Sequence, residues 1–308
     1  DLKYPEFSKT SCDEFIIGDL TEPKVAEIGI PDNIDELYTF ACLMGGAGFI
    51  FVGSHDSDVM HNSALINLNV ANECVKKKVK KVFFSSSACV YNEFNQKDPN
   101  NPTCTEDSAY PVQCDSEYGY EKLFSERLYL SYNRNYGLDV RIARYHNIFG
   151  KEGAWNNGRE KAPAAICRKV AEAKDGKYIE VWSSGRGDQT RSFLDIDECL
   201  EATLRFMRND KGFLGPVNIG SEEMISINDF TKMIIDISGK NLKIKNIPGP
   251  EGVRGRRSDN NLYKEKMGWV VSRPLREGTE KLYKWIEQQV IKNGLTEIAD
   301  KYDFKIIK

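Results

Sequence analysis

Val82-Phe-Phe-Ser-Ser-Ser-Ala-Cys-Val-Tyr91 opens on an unbroken apolar run and closes on three hydroxyls and a thiol. An apolar run this short, entered from the basic cluster Lys76-Lys-Lys-Val-Lys-Lys81, reads as a buried strand following the C-terminal end of a helix, where cations are favoured. In α/β sheets the ends of such strands and the loops after them build ligand sites. Outward from this stretch, short apolar runs alternate with longer amphipathic ones, the pattern of an α/β fold. Strands are expected at 14–17, 38–41, 82–86, 140–143, 179–182 and 217–219, and helices at 63–77, 118–136, 163–173, 197–207, 227–238 and 275–290. Pro163 suits a first helical turn. After Gly150 the pattern loosens into Gly- and Asn-rich loops and the turn-like Pro248-Gly-Pro-Glu-Gly252.

The 308 residues suffice for a large core. Hydrophobic residues at 40% and charged residues at 29% are ordinary for a globular protein, and a net charge of -3 argues against nucleic acid or an anionic membrane as partner. No apolar run approaches membrane-spanning length, and no secretory signal is recognisable. Eight cysteines without a C-x-x-C pair, with only three histidines, argue against a disulfide framework and a metal site; reduced thiols in the cytoplasm are expected.

Downstream, Tyr118-Gly-Tyr-Glu-Lys122 sets a phenol and an ammonium one helical turn apart. The ammonium is expected to pull the phenol pKa down, so that Tyr118 can take a proton from an alcohol while hydride leaves the same carbon. Alone, such a pair also suits any surface helix. The order strand, serines, then Tyr-x-x-x-Lys resembles the extended short-chain dehydrogenase/reductase family of sugar-nucleotide enzymes. That resemblance implies a Rossmann-type doubly wound parallel sheet with a smaller α/β substrate lobe, and NAD as cofactor. Residues 1–150 would be the NAD-binding domain, with 192–207 returning to it, and 151–308 mainly the substrate lobe. Ser87 would hydrogen-bond the substrate hydroxyl, Tyr118 would be the redox base and Lys122 would also hold the nicotinamide ribose.

The resemblance narrows on further blocks: Met44-Gly-Gly-Ala-Gly-Phe-Ile50, Arg144-Tyr-His-Asn147, Gly158-Arg-Glu-Lys-Ala-Pro-Ala-Ala165, Asp188-Gln-Thr-Arg-Ser192 and Pro248-Gly-Pro-Glu-Gly-Val-Arg-Gly-Arg256. Together they are similar to the GDP-mannose 3,5-epimerase family. This implies conversion of GDP-mannose to GDP-L-galactose, with GDP-L-gulose as a second product, through a 4-keto sugar. Oxidation at C4 acidifies the hydrogens on C3 and C5, because the carbanion delocalises as an enolate. Cys89 and Lys161 would then be the two proton-moving groups. A thiol of ordinary pKa about 8.5 can act near neutrality, as can an amine whose pKa is lowered. In isolation Cys89 reads as a small buried residue and Lys161, beside Glu160, as a solvated cation. Substrate contacts implied in the same way are Gly45, Gly46, Ser87, Cys89, Asn147, Glu160, Lys161, Gln189, Arg191, Arg254 and Arg256, with Arg254 or Arg256 at the diphosphate. His146 is read as positional. Pairing of helices 63–77 and 118–136 in a homodimer is implied as well.

The chain departs from this pattern in two places. No G-x-G-x-x-G turn precedes Asp1, which aligns with the acidic residue of the adenosine ribose site; Asp19 matches a residue beside the adenine. A stretch of about 30 residues, the size of a first βα unit through the second strand, is expected upstream. These 308 residues alone are therefore expected to hold NAD poorly and to be inactive. The alternatives are another nucleotide-sugar epimerase or dehydratase, or a short form that only binds a nucleotide sugar. Thr39-Phe-Ala-Cys-Leu43 also differs from the family pattern, and residues beyond Gln289 are read as a helical tail.

Overall fold

Alternation of side chains along the strand Lys81–Ser87 determines which helices cover which face of the sheet. In the computed structural model, which describes residues 1–183, 186–210, 212–292 and 304–306, Val82 and Phe84 point one way. With Val140 and Ile142 of the neighbouring strand Asp139–Tyr145, they meet Val70 and Cys74 of the helix Asp56–Lys76 and Tyr129 of the helix Glu117–Tyr136. Phe83 and Ala143 point the other way, onto Ala202 and Phe206 of the helix Ile196–Met207. Strands Glu36–Thr39, Lys81–Ser87, Asp139–Tyr145 and Val217–Ile219 lie in that order, all parallel. Cover on both faces explains why the central strands read as continuous apolar runs. The fold is thus Rossmann-like α/β.

The helix Glu117–Tyr136 is fixed at both ends. The Ser116 hydroxyl accepts from the Gly119 amide at 3.3 Å, and Gly137 ends the helix with φ of 70°, a left-handed turn suited to glycine. Arg144 ties the same helix to the sheet, its Nε and Nη2 each donating to a Glu126 carboxylate oxygen at 2.8 Å. Both partners are buried, and a two-pronged geometry is what makes such a pair tolerable there.

A second core joins the helices Ala162–Glu172, Ile227–Ser238 and Leu275–Ile291, through Val170, Ile234, Leu282 and Ile286, to Ile179 and Val181 of the strand Tyr178–Trp182. The strand Lys243–Ile247 extends that sheet in parallel. Three short strands were not expected: Thr190–Ser192 pairs antiparallel with Met224–Ser226 and parallel with Gly255–Arg256. The helix expected from 63 begins at Asp56, where Asp56 and Asp58 suit a first turn and Val59 is buried. The expected helical tail is replaced in part by Phe304–Ile306, which pairs parallel with Phe15–Ile17; 293–303 and 307–308 lie outside the described residues. Among the described residues no helix is long and apolar enough to cross a membrane.

Candidate active site

Ser87 is the last residue of its strand and caps the short turn Ala88–Val90, its hydroxyl accepting from the Cys89 amide at 3.2 Å. Strand end and turn therefore deliver a hydroxyl and a thiol side by side. The helix Glu117–Tyr136 approaches this turn closely because Gly119 lacks a side chain: a Cβ there would lie 2.1 Å from the Cys89 carbonyl oxygen. That contact brings Tyr118 beside Ser87 and Cys89, and all three line a cavity of about 330 Å³.

The opposite wall comes from the loop before the helix Ala162–Glu172. Glu160 shapes this loop, accepting from the Gly158 amide at 2.6 Å and pairing with Arg168 at 3.1 Å. Lys161 follows at the helix N-cap, lining the cavity, and among the described residues its ammonium makes no ion pair. Gly45 and Gly46 also line the cavity, and their lack of a side chain makes room for neighbouring protein atoms. A Cβ on Gly45 would strike the Phe49 side chain at 2.6 Å, and one on Gly46 the Glu160 carbonyl oxygen at 2.3 Å. Asn147 completes this side from a left-handed backbone (φ 46°), its amide donating to the Ser192 carbonyl at 2.9 Å. Asparagine is one of the few non-glycine residues that take up this conformation readily.

The arginines divide in a way the sequence did not indicate. Arg191 lines the cavity, its guanidinium donating to the backbone carbonyls of Thr190 at 2.7 Å and Glu251 at 2.9 Å. Arg254 is not among the lining residues and pairs with Asp188 at 2.9 Å and Glu251 at 3.6 Å. Arg256 reaches the cavity wall but turns inward, to Asp115, Gln96 and the Cys89 sulphur. Gln189 lines the cavity, donates to the Trp182 carbonyl at 2.7 Å, and has a buried Oε1 with no hydrogen-bond partner among the described residues.

Lys122 lies under the site, buried, with Nζ donating to the Ser85 carbonyl at 3.0 Å and 5.6 Å from the Tyr118 ring centre. The ammonium thus faces the ring and a carbonyl. Burial is the largest influence on the Tyr118 phenol and holds it well above its ordinary range, with Cys42, Cys89 and Glu121 acting in the same direction and a Ser87 hydrogen bond against. The expected lowering by Lys122 is therefore overridden by desolvation. Burial, then Asp115, likewise push the Cys89 thiol up, while Arg256 and Ser87 pull it down. Burial lowers Lys161, opposed by Cys89, Cys42 and Cys199, and its place at a helix N-terminus also favours the neutral amine. His146 is buried, with Nε2 2.9 Å from Asn218 Oδ1, and burial pushes its pKa down to about 3. A neutral, buried imidazole suits a positional role.

Asp1 and Asp19 stand apart from the cavity, exposed and next to one another: the Gly18 amide donates to the Asp1 carbonyl at 2.9 Å, and Asp19 accepts from Thr21. Sequence reading missed Asp115 and Gln96, which hold Arg256, and Cys42, which packs with Cys89 beside Tyr118. Asp115 sits three positions before Tyr118, but a loop aspartate gives no sign of its partner.

The family model described as "NAD dependent epimerase/dehydratase family" matches residues 3–220. The chain is 45% identical over 283 residues to the GDP-mannose 3,5-epimerase of Arabidopsis thaliana, covering 91% of this chain and 72% of that protein. It is 43% identical over 283 residues to the GDP-mannose 3,5-epimerase 1 of Oryza sativa subsp. indica, with the same 91% and 72% coverage. Among solved structures, an epimerase of Methanothermobacter thermautotrophicus superposes with a TM-score of 0.80 at 15% identity, covering 92% of this chain and 81% of that one, which speaks for the fold.

Proposed function

Because this chain belongs to the NAD-dependent epimerase/dehydratase family, we propose that it epimerises GDP-mannose at C3 and C5, giving GDP-L-galactose and GDP-L-gulose through a 4-keto sugar. The observation that carries this reading is the presence of Cys89 and Lys161 in the cavity that also holds Tyr118 and Ser87. Simple alcohol oxidation, or epimerisation at C4 alone, needs only the last two.

The residues present suit the nicotinamide-ribose end of NAD. The Lys122 ammonium has three N–H groups, and the hydrogen bond to the Ser85 carbonyl takes one; Tyr118 and Ser87 line the cavity itself, which Lys122 backs from behind the Tyr118 ring. Asp1 and Asp19 would meet the adenosine end. When bound, NAD would supply acceptance and return of hydride at the sugar C4. Ser87 orients the C4 hydroxyl and Tyr118 holds its proton. Once C4 is a ketone, one of Cys89 and Lys161 removes the proton from an adjacent carbon and the other delivers one to the opposite face. Lys161, lowered by burial, suits the accepting amine, and Cys89, raised, the donating thiol. Arg191 suits the diphosphate, since its guanidinium meets carbonyls but no carboxylate in the hydrogen bonds above. The Gln189 Oε1 is an acceptor for a nucleobase or ribose donor.

We further take 1–150 with 192–207 as the cofactor half and 151–308 mainly as the substrate half. The helices Asp56–Lys76 and Glu117–Tyr136 expose Leu68, Tyr120 and Phe124, an apolar face that supports a homodimer and is testable by light scattering. Eight free cysteines fit the reducing cytoplasm. The deciding experiment is incubation with NAD and GDP-mannose in deuterated water. Deuterium at C5 and C3 of the recovered hexose is expected; label at neither carbon from protein that retains NAD overturns the reading.

A further inference from the structure

Arg256 is badly placed for the diphosphate it was expected to grip, because its donor fork is turned into the protein. Nε donates to Gln96 Oε1 at 2.5 Å, Nη2 to Asp115, and Nη1 to the Cys89 sulphur at 3.4 Å. Gln96 is itself locked. Its Nε2 donates to the carbonyls of Tyr91 at 3.2 Å and Asn92 at 3.1 Å, which leaves its oxygen facing the guanidinium. The side chains of Arg256 and Asp115 are only 7% and 3% exposed. Stability is a weak reason to bury such a pair, since an apolar pair of similar volume often does as well. A guanidinium oriented by two anchors, with its third edge on a sulphur, has a different consequence.

We propose that Arg256, anchored by Asp115 and Gln96, is a positioning residue for Cys89: it fixes the thiol at the cavity wall and stabilises the thiolate formed when Cys89 gives its proton to the sugar. This rests on the reading of Cys89 as a proton-moving group. In that step the S–H bond breaks, a C–H bond forms on the enolate carbon, and the sulphur is left negative in a desolvated place. The proton taken from the opposite face resides on Lys161. For the next inversion the pair must act in reverse or be reset by solvent, and either path passes through the thiolate. The charged and titratable groups facing Cys89 are Cys42, Tyr118, Cys114, Asp115, Lys161, Arg191 and Arg256, with the Ser87 hydroxyl as a further hydrogen-bond partner. Of the cations, Arg256 is the one that donates to the sulphur among the described residues. Asp115 unpaired would repel a thiolate; paired with Arg256, it serves as the anchor instead.

The test is peptide-resolved alkylation of Cys89 by iodoacetamide across pH, in the intact protein. It compares wild type with Arg256→Lys and with Arg256→Gln, which keeps Asp115 in place so that only the guanidinium is lost. Because only the thiolate reacts, losing the guanidinium should slow alkylation below the midpoint by about tenfold or more and move the profile to higher pH, with Arg256→Lys in between. Superimposable profiles in an Arg256→Gln protein of unchanged circular dichroism overturn the proposal. Should Arg256→Gln fail to fold, Arg256→Lys decides alone, and an unmoved profile is again fatal. Deuterium uptake from GDP-mannose should slow by a similar factor, with its pH optimum displaced upward. A wild type that exchanges nothing while its variants show the alkylation shift overturns the epimerisation and supports the clamp.

Discussion

Replacing Gly119 with alanine perturbs the site through a single methyl group, and its effect can be worked out from the contact itself. The added Cβ would lie 2.1 Å from the Cys89 carbonyl oxygen, 2.8 Å from its carbonyl carbon and 3.0 Å from the Cys114 Cβ. Such contacts are not seen below about 3.0 Å, so helix and turn must separate by about 0.9 Å (3.0 minus 2.1). Overpacking of this kind costs about 1–3 kcal/mol, while alanine's helix preference returns up to about 1 kcal/mol. The melting temperature should therefore fall by only a few degrees, at roughly 2–4 °C per kcal/mol. The separation acts directly on the spacing of Tyr118 from Cys89. A misplacement of about 1 Å between reacting groups costs on the order of 100-fold in rate. Calorimetry and deuteration of GDP-mannose, run side by side, should thus show a large loss of rate with a small loss of stability. Gly29→Ala is the control, since no heavy atom of the described residues would lie within 4 Å of the added Cβ and its backbone is not left-handed. A Gly119→Ala protein with the wild-type rate would refute the claim that this glycine sets the distance between phenol and thiol.

Lys161→Met should raise the melting temperature at neutral pH while abolishing deuteration. Burial lowers the lysine pKa below its ordinary 10.5, so the neutral amine's stabilising contribution is complete only above that value and is lost as pH falls through the lowered one. The gap between variant and wild type should close as pH approaches about 10; a gap of the opposite sign would contradict the burial argument. His146, pushed down to about 3, gives the same sign: its contribution is full above its ordinary 6.5 and disappears as pH falls through about 3. Between those limits wild-type stability should drop by up to roughly 1.4 kcal/mol per pH unit, and His146→Gln should flatten that slope in denaturant titrations. Arg191→Met should raise KM for GDP-mannose about 10- to 100-fold with kcat little changed, as expected for lost ground-state binding; a fall in kcat alone would place Arg191 elsewhere.

The central strand, the helix behind it and the residues lining the cavity could be read from short motifs, because each depends on local pattern. Val82-Phe-Phe is apolar because both faces of its strand are covered, and Tyr118 and Lys122 share a face because a helix turns in that number of residues. Long-range partners could not be read in this way. The expected lowering of Tyr118 by Lys122 left burial out: the ammonium does face the ring, 5.6 Å from its centre, but desolvation of the phenol dominates. Gly45 and Gly46 line the cavity, while Phe49 and Glu160, which a Cβ at each would strike, are partners that the motif itself does not name. The inward turn of Arg256 depends on Asp115, 141 positions away, and no window of sequence carries that information. The short strand Thr190–Ser192 was missed because its polar residues lack the alternation that marks a half-buried strand.

The contact between Arg256 and Cys89 spans 167 positions of chain. On a ribosome, the phenol, the thiol and Lys161 all emerge well before the guanidinium that borders the sulphur. Until Gly255–Arg256 docks beside Thr190–Ser192, the Cys89 sulphur is without the guanidinium that donates to it in the folded protein. A contact that spans most of the chain therefore forms late, after the rest of the cavity wall around the sulphur has been made.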